Sequence, residues 1–256
     1  MKKIIFSLLL AVPASAMAVP FMPELPKKKQ EAVQNTIKDL RPAPEKRLFR
    51  SEAIEKQIVD LKEKLTAIDP KLYWMFVNCF PNTLDTTVWY SNESGDDDTF
   101  VITGDIEAMW LRDSAAQVWP YLRYVNQDEP LRHLIRGVIR RQFACILIDP
   151  YANAFNDGPT GAGAQTDDTG SKIKPDVFER KWEIDSHCYP IRLAYNYWKT
   201  TGDASVFGPE WLQAIKLTLK TFKEQQRKDG FGPYYFLRVT DRQLDTKCCI
   251  GRGNPT

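Results

Sequence analysis

The segment with the densest chemistry spans Glu179–Arg192 and reads ERKWEIDSHCYPIR. It places three carboxylic acids, Glu179, Glu183 and Asp185, within seven residues and next to Trp182. Glycosidases use two carboxyl groups, one of which stays protonated until it protonates the leaving oxygen. Apolar or aromatic surroundings raise the pKa of such a carboxyl because they disfavour its charged form. The pattern therefore makes Asp185, beside Trp182, a candidate proton donor.

Two other interpretations of Asp185 remain open at this point. Asp185 could cap the N-terminus of a helix whose first turn contains Pro190. That location lowers the pKa of a carboxyl, which is the wrong direction for an acid. Asp185, His187 and Cys188 could also be metal ligands, but these short spacings match no closed metal site. We therefore predict no metal, and the residues alone do not decide between proton donor and cap.

A second segment, TGDIEAMWLRDS, places Trp110, Arg112 and Asp113 where a loop passes into a helix. A guanidinium donates hydrogen bonds in a fork, and a carboxylate accepts from two neighbouring hydroxyl groups. Sugar pockets combine such groups with aromatic plates. The alternative is a charged pair that simply begins an amphipathic helix.

A third segment, Asp149–Asn156, ends a helix and enters a long loop rich in Gly, Asp and Thr. Asn153 is a candidate to bond a sugar hydroxyl, although Asn at a helix end is also ordinary turn chemistry. Gly158, Gly161 and Gly163 are not followed by the Lys-Ser or Lys-Thr pair of a phosphate loop, which excludes that motif. Long loops inside a compact domain are usually functional or disordered, and the mixed aromatic and carboxylate content of the irregular stretches favours function.

The elements that must position these segments are mostly helices. Apolar residues recur at helical spacing, and we predict six helices, give or take one, over about 51–79 with a break at Pro70, 107–125, 130–149, 186–200 and 208–228. Ser51 is the expected N-cap of the first helix. Two β-rich runs, 86–90 and 99–103, flank a polar stretch and predict a hairpin. The fold class is therefore all-α with one small β-hairpin.

The N-terminus has the three parts of a secretory signal peptide. A basic start at Lys2 and Lys3 precedes an apolar run, and Ala16-Met17-Ala18 forms a small-x-small cleavage site. The apolar run is far shorter than the ~20 residues that span a membrane. We expect cleavage near Ala18, a Pro- and Lys-rich linker over 19–50, and a domain over 51–256. The protein should be exported, either to a periplasm or to the medium, with no membrane association after cleavage.

Composition excludes several other functions. The formal net charge is +2 with 27% charged residues, which predicts no nucleic-acid partner. The five Cys are odd in number and match no small-domain disulfide framework. Only two His are present, so no zinc site at ligand spacing is visible. We therefore expect no cofactor.

Three strings closely resemble glycoside hydrolase family 125: TGDIEAMWLRDSAAQVWPYL, DPYANAFNDGPTGAGAQ and ERKWEIDSHCYPIRLAYNYWKTTGD. The resemblance extends from about Arg50 to the end of the chain. His187 departs from the family, which more often carries Leu at that position.

The resemblance implies an (α/α)6 barrel and an exo-acting, metal-independent and inverting hydrolysis of α-1,6-linked mannose. N-glycan-type α-1,6-mannosides are then the expected partners. It also implies that Asp185 is the general acid and that the WLRDS string lines the sugar pocket with Trp110, Arg112 and Asp113. Asn153 and Glu183 complete the predicted set of sugar-binding residues.

An (α/α)6 barrel has twelve helices, and the resemblance places the general base, a Glu, in the second half of the family sequence. We therefore expect this chain to be the N-terminal half of a catalytic domain, a barrel truncated to about six helices that lacks the base. Three hypotheses remain: an incomplete mannosidase, an inactive sugar-binding fragment, or a helical scaffold in which the aromatic residues only pack a core.

Overall fold

The computed structural model describes residues 40–238 of the chain. The predicted signal peptide, most of the predicted linker, and Cys248 and Cys249 lie outside the described residues. Seven α-helices lie within them: α1 Glu52–Ile68, α2 Pro70–Cys79, α3 Asn82–Thr86, α4 Leu111–Val118, α5 Glu129–Ile148, α6 Asp185–Thr201 and α7 Pro209–Gln225. This number agrees with the predicted six, give or take one. The twelve-helix barrel stays a prediction.

Helix starts follow the capping residues of the sequence. Ser51 caps α1, and its hydroxyl accepts a hydrogen bond from the Ile54 N–H, as predicted. Asp128 caps α5 by accepting from the Leu131 N–H, with Pro130 in the first turn. The Ser51 hydroxyl also donates to Asp128 at 2.6 Å, so the two helix starts stabilise each other.

Helix α5 is the centre of the core. Ten of its residues are buried, and it packs against both α6 and α7. The predicted hairpin is confirmed: β1 (Val88–Ser91) pairs antiparallel with β2 (Asp98–Val101). The hairpin lies directly on α5 at Gly137, where an added Cβ would come within 2.4 Å of the Thr99 hydroxyl. Only glycine permits this approach.

The predicted helix over 107–125 is wrong at both ends. It begins with strand β3 (Met109–Trp110), continues as α4, and ends in a 3-10 helix, Trp119–Tyr124. Pro120 explains the change after Val118, because its ring prevents a regular α-helical hydrogen bond at that point. Two more short strands, β4 (Ala154–Phe155) and β5 (Val177–Glu179), join β3 in a sheet that the sequence did not predict.

The last residues of the predicted linker contact the helices. The N–H groups of Leu48 and Phe49 donate to the carbonyls of Asp85 and Leu84, both at 3.0 Å. The Arg41 side chain is 7% exposed, and its Nε lies 2.6 Å from a carboxylate oxygen of Asp85, which is 1% exposed. Arg41 also pairs with Glu55. Composition could not show this, because both partners are distant in the sequence.

Residues 40–238 contain no helix that is both long and apolar enough to cross a membrane.

Candidate active site

The small sheet brings the three sequence motifs together. Strand β4 lies in the middle, antiparallel to both β3 and β5, with Trp110 opposite Ala154 and Ala154 opposite Glu179. The Asn153 backbone extends the pairing, since its carbonyl accepts from the Leu111 N–H at 3.0 Å and its N–H donates to the Glu179 carbonyl at 3.1 Å. Each motif contributes one strand, and motifs up to 70 residues apart therefore become neighbours.

Two helices begin beside this sheet. Strand β3 leads directly into α4, and the residues after β5 lead into α6; the two helices pack against each other. Arg112 and Asp113 lie in the first turn of α4, and Asp185 is the first residue of α6. Helix N-termini expose unpaired N–H groups and favour nearby negative charge. The fold thus collects carboxylates from two motifs at one location.

Arg112 connects these carboxylates. Its Nη1 donates to Asp185 Oδ2 at 3.2 Å and lies 3.7 Å from Glu183 Oε2. Its Nη2 lies 3.1 Å from Asp113 Oδ2. Lys181 Nζ lies 3.6 Å from the other oxygen of Glu183. We call these five residues the Arg112 cluster; their side chains are 24–40% exposed, so the cluster is accessible from solvent.

The electrostatics of the cluster single out Glu183. Burial raises the pKa of Glu183, and the nearby Asp185 charge adds to this effect, while Lys181 and Arg112 act against it. For Arg112, burial acts against the charged form, but the hydrogen bond to Asp185 and the charges of Asp113 and Glu183 raise its pKa. Arg112 is therefore a permanent cation that holds three acids.

Several polar atoms around Asp185 are buried and have no hydrogen-bond partner within residues 40–238. They are Trp182 Nε1, Asp185 Oδ1, Ser186 Oγ and His187 Nδ1. Most buried polar atoms of folded proteins have a partner, so four such atoms within six residues are unusual. Water or a ligand can supply these hydrogen bonds.

The structure tests the interpretation of Asp185 as a helix cap, while the proton-donor interpretation stays a prediction. The N-cap of α6 is Ile184, no side chain within residues 40–238 caps this helix, and Asp185 is the first helical residue. The interpretation of Asp185 as a cap is therefore wrong. The charged-pair interpretation of Arg112 and Asp113 is incomplete, since Arg112 also reaches Asp185, 73 residues away.

His187 is placed differently from Asp185. Its ring is fully buried, stacks on Phe222 at 5.5 Å, and uses Nε2 to contact the Pro150 carbonyl at 2.7 Å. A carbonyl only accepts, so Nε2 carries the proton. Burial lowers the pKa of His187 to about 4, so the ring is neutral near pH 7. In the described part of the chain, no three His, Cys, Asp or Glu side chains are grouped as metal ligands.

Asn153 does not reach the cluster surface. It is 1% exposed, and its amide donates to Glu179 Oε2 at 2.7 Å and accepts from the Lys181 N–H at 3.1 Å. The amide is therefore engaged by β5 and the residues after it, and its predicted hydrogen bond to a sugar hydroxyl stays a prediction. Asn153 instead fixes the backbone of Lys181.

Two residues near the site were missed by sequence reasoning. Phe178 on β5 packs against Trp110, with ring centroids 5.4 Å apart at 59°. This pair supplies an aromatic wall, whereas Trp182 packs edge-on against Phe222. The other missed residue is Lys181. Phe178 directly precedes the motif that contains Glu183, and Lys181 lies within it. The signal that could have indicated both residues is their position in or just after a short strand that follows a long loop.

An open groove lies elsewhere. It measures about 680 Å³, and its apolar lining includes Phe76, Phe80, Trp119 and Tyr124. None of the predicted site residues and no carboxyl group lines it. Because acid–base chemistry needs titratable groups, we place the site at the Arg112 cluster and not in this groove.

Comparison with known proteins identifies the family of the chain. Residues 69–256 match the family described as metal-independent alpha-mannosidase, GH125. A Schizosaccharomyces pombe protein, meiotically up-regulated gene 157 protein, is 40% identical over 84% of this chain and 45% of its own length. A solved Streptococcus pneumoniae structure, from the metal-independent alpha-mannosidases and in a non-productive complex with alpha-1,6-mannobiose, is also 40% identical.

The structural match to the streptococcal protein has a TM-score of 0.71 and covers 80% of this chain and 47% of that one. The chain thus spans about half the length of both relatives. The family match covers well over half of this chain, with the Arg112 cluster inside it. The chain belongs to glycoside hydrolase family 125.

Proposed function

We propose that this chain provides the sugar-binding and proton-donating side of a metal-independent α-mannosidase site. The proposed reaction removes non-reducing-terminal α-1,6-linked mannose, as found in N-glycan-type glycans, with inversion at the anomeric carbon. The observation that supports this most is the hydrogen bond between Arg112 and Asp185, because it joins the WLRDS and WEIDS motifs in one accessible cluster. The mannobiose bound to the streptococcal relative suggests the substrate.

Asp185 is the proposed general acid. Arg112 holds its Oδ2, while Oδ1 is buried and has no partner among the described residues. In the reaction, a neutral carboxyl gives its proton to the glycosidic oxygen as the bond from the anomeric carbon to that oxygen breaks. Arg112 cannot be this donor, because a guanidinium does not lose its proton at working pH.

The other residues of the cluster are proposed to hold the sugar. The wall formed by Trp110 and Phe178 offers an apolar surface to the C–H face of mannose. Asp113, whose side chain is 32% exposed beside Arg112, is proposed to accept hydrogen bonds from sugar hydroxyls. Glu183 provides a second acceptor beside it.

Inversion also needs a carboxylate that activates water on the opposite face of the sugar. The family resemblance places this base in the second half of the family sequence, and the chain spans about half of its relatives. We therefore propose that the 256-residue chain binds mannosides but turns them over slowly, since loss of a positioned base costs about 10²- to 10⁴-fold in rate.

Calorimetry of the chain with α-1,6-mannobiose tests the proposal. Trp110→Ala should weaken binding about tenfold or more, because it removes the larger plate of the aromatic wall. Trp89→Ala is the matched control, since Trp89 is 40% exposed on β1, outside the site. Saturable binding that Trp110→Ala removes and Trp89→Ala retains supports the proposal. A folded chain that binds no mannobiose contradicts it and favours the helical-scaffold hypothesis.

Turnover separates the enzyme from a binding fragment. Any slow release of mannose by the chain should disappear in Asp185→Asn, while binding persists. Release that is unchanged in Asp185→Asn would contradict its role as the acid. In an inverting enzyme, the first mannose detected by NMR is the β-anomer; an α-anomer would contradict inversion.

We also propose that the protein is exported, on the evidence of its N-terminal sequence, which lies outside the described residues. N-terminal sequencing of the protein from its natural source should begin near Val19. An intact Met1 on the mature protein would contradict this.

A further inference from the structure

Glu183 and Asp185 contact the same nitrogen of one arginine. Arg112 Nη1 lies 3.2 Å from Asp185 Oδ2 and 3.7 Å from Glu183 Oε2, while Nη2 is directed to Asp113. A guanidinium is a rigid planar fork, so Nη1 cannot move toward one carboxyl group without changing its distance to the other. The two acids therefore compete for one positive group.

The two acids are held in different ways. Glu183 lies between two cations, because its Oε1 is 3.6 Å from Lys181 Nζ and its Oε2 faces Arg112. Lys181 is itself fixed to the sheet, since its N–H donates to Asn153 Oδ1. Asp185 contacts Arg112 through Oδ2 only, and within residues 40–238 its Oδ1 has no partner. Glu183 thus interacts with two cations at longer distances, whereas Asp185 has one shorter hydrogen bond, to Arg112.

We propose that Glu183 is the positioning residue of the acid Asp185, and that Lys181 is the cation that keeps Glu183 in place. An ionised Glu183 attracts part of the Arg112 charge, which limits how tightly Arg112 pairs with Asp185. Asp185 can then gain and release a proton without breaking a full bidentate salt bridge. This inference rests on the proposed function, in which Asp185 donates the proton.

The charges that face Glu183 are those of Lys181, Asp185, Arg112 and Glu179. Burial raises the pKa of Glu183, Lys181 and Arg112 lower it, and the two acids raise it. Interacting acids titrate as a coupled pair. The titration of Glu183 therefore reports directly whether it interacts with Asp185.

Carboxyl ¹³C NMR of the full 256-residue chain, titrated with acid, measures this interaction. The Glu183 resonance is identified by its loss in Glu183→Gln. Asp185→Asn should lower the pKa of Glu183 by about half a pH unit or more, because a like charge on the shared guanidinium is removed. Asp113→Asn is the matched control, since Asp113 contacts the other nitrogen, and its effect should be clearly smaller.

Lys181 variants test the second part of the proposal. Lys181→Met should raise the pKa of Glu183, and Lys181→Arg should restore it, because a cation near Oε1 favours the charged carboxylate. An unchanged pKa of Glu183 in Asp185→Asn, or an equal change in Asp113→Asn, overturns the positioning role. These titrations need no sugar. Failure of this inference is therefore distinguishable from failure of mannobiose to bind, which would overturn the proposed function.

Discussion

Asp97 and Asp185 are both aspartates held by an arginine, yet their surroundings differ. Asp97 lies beside the β1–β2 hairpin and is 4% exposed. Its Oδ1 accepts from the Tyr90 hydroxyl at 2.9 Å, and the carboxylate also contacts His133 and Arg136. Asp185 is 37% exposed, and only its Oδ2 has a partner among the described residues.

The difference separates a structural acid, Asp97, from the proposed functional acid, Asp185. Burial alone would raise the pKa of Asp97, but hydrogen bonds from Tyr90, Arg136 and His133 lower it, so the carboxylate stays charged and attached. A fully satisfied buried network makes a structure rigid. The Asp185 oxygen that has no partner among the described residues is buried, and a buried oxygen without a hydrogen bond contributes less to stability. Sites of this kind commonly sacrifice stability for function.

The largest expected effect is on the structural acid. Asp97→Ala should lower the free energy of unfolding by about 3 kcal/mol, because it leaves Arg136 without its main partner in a largely buried network. Urea denaturation measures the change. Tyr90→Phe, which removes one hydrogen bond to the same carboxylate, should cost about 1 kcal/mol. Equal small losses in both variants would show that Asp97 is not a structural centre.

A pH effect of similar size is expected next to the functional acid. The pKa of His187 is lowered from 6.5 to about 4 because its ring is buried. The unfolded chain therefore binds this proton more tightly than the folded chain. Stability contributed by His187 is present above pH 6.5 and is lost as the pH falls to about 4, by on the order of 3 kcal/mol in total.

The variant His187→Leu isolates this effect. Urea denaturation at several pH values gives the unfolding free energies of the variant and of the original chain. The difference between the two should change by about 3 kcal/mol between pH 6.5 and pH 4. A difference that stays constant with pH would mean that the His187 ring is protonated without cost in the folded chain.

A smaller loss is expected where the hairpin meets α5. Gly137→Ala should destabilise the chain by about 1–3 kcal/mol, since its Cβ would lie 2.4 Å from the Thr99 hydroxyl and 2.9 Å from the Thr99 backbone nitrogen. Thermal unfolding measures this. Gly208→Ala is the control, because an added Cβ meets nothing within 4 Å there. If Gly137→Ala is as stable as the control, the hairpin can move away from the helix at little cost.

The smallest effect on stability is expected at the functional acid. Asp185→Asn should change the free energy of unfolding by less than about 1 kcal/mol in either direction, because one oxygen of Asp185 has no partner within residues 40–238 and the other shares Arg112 with two more acids. Urea denaturation beside Asp97→Ala makes the comparison direct. A loss as large as that of Asp97→Ala would remove the distinction between the two acids.

Local signals in the sequence predicted much of the fold. Ser51 was predicted to start α1, and Pro130 was predicted to start α5, which Asp128 caps. Both predictions succeeded because the capping and first-turn positions depend on only a few adjacent residues. The hairpin followed from two β-rich runs around a polar turn. The β3–β4–β5 sheet could not be predicted, since strands of two or three residues are too short to show alternation.

The site residues also divide into those that local sequence signals indicate and those that depend on contacts between distant segments. Arg112, Asp113, Glu183 and Asp185 were found from residue type and family resemblance, and the structure brings them together. The burial of the Asn153 side chain and the contact of Phe178 with Trp110 depend on strand pairing between distant segments. Arg41 was missed for a similar reason, because its acidic partners are 14 and 44 residues away.

The most direct test of the central claim is an NMR titration of the isotopically labelled chain with α-1,6-mannobiose. If the Arg112 cluster is the site, the indole N–H of Trp110 and the guanidinium N–H of Arg112 shift in a saturable way. Trp89 on the hairpin and Trp119 in the apolar groove then stay unchanged. Saturable shifts at Trp119 without shifts at Trp110 and Arg112 would place the sugar in the groove and contradict the account.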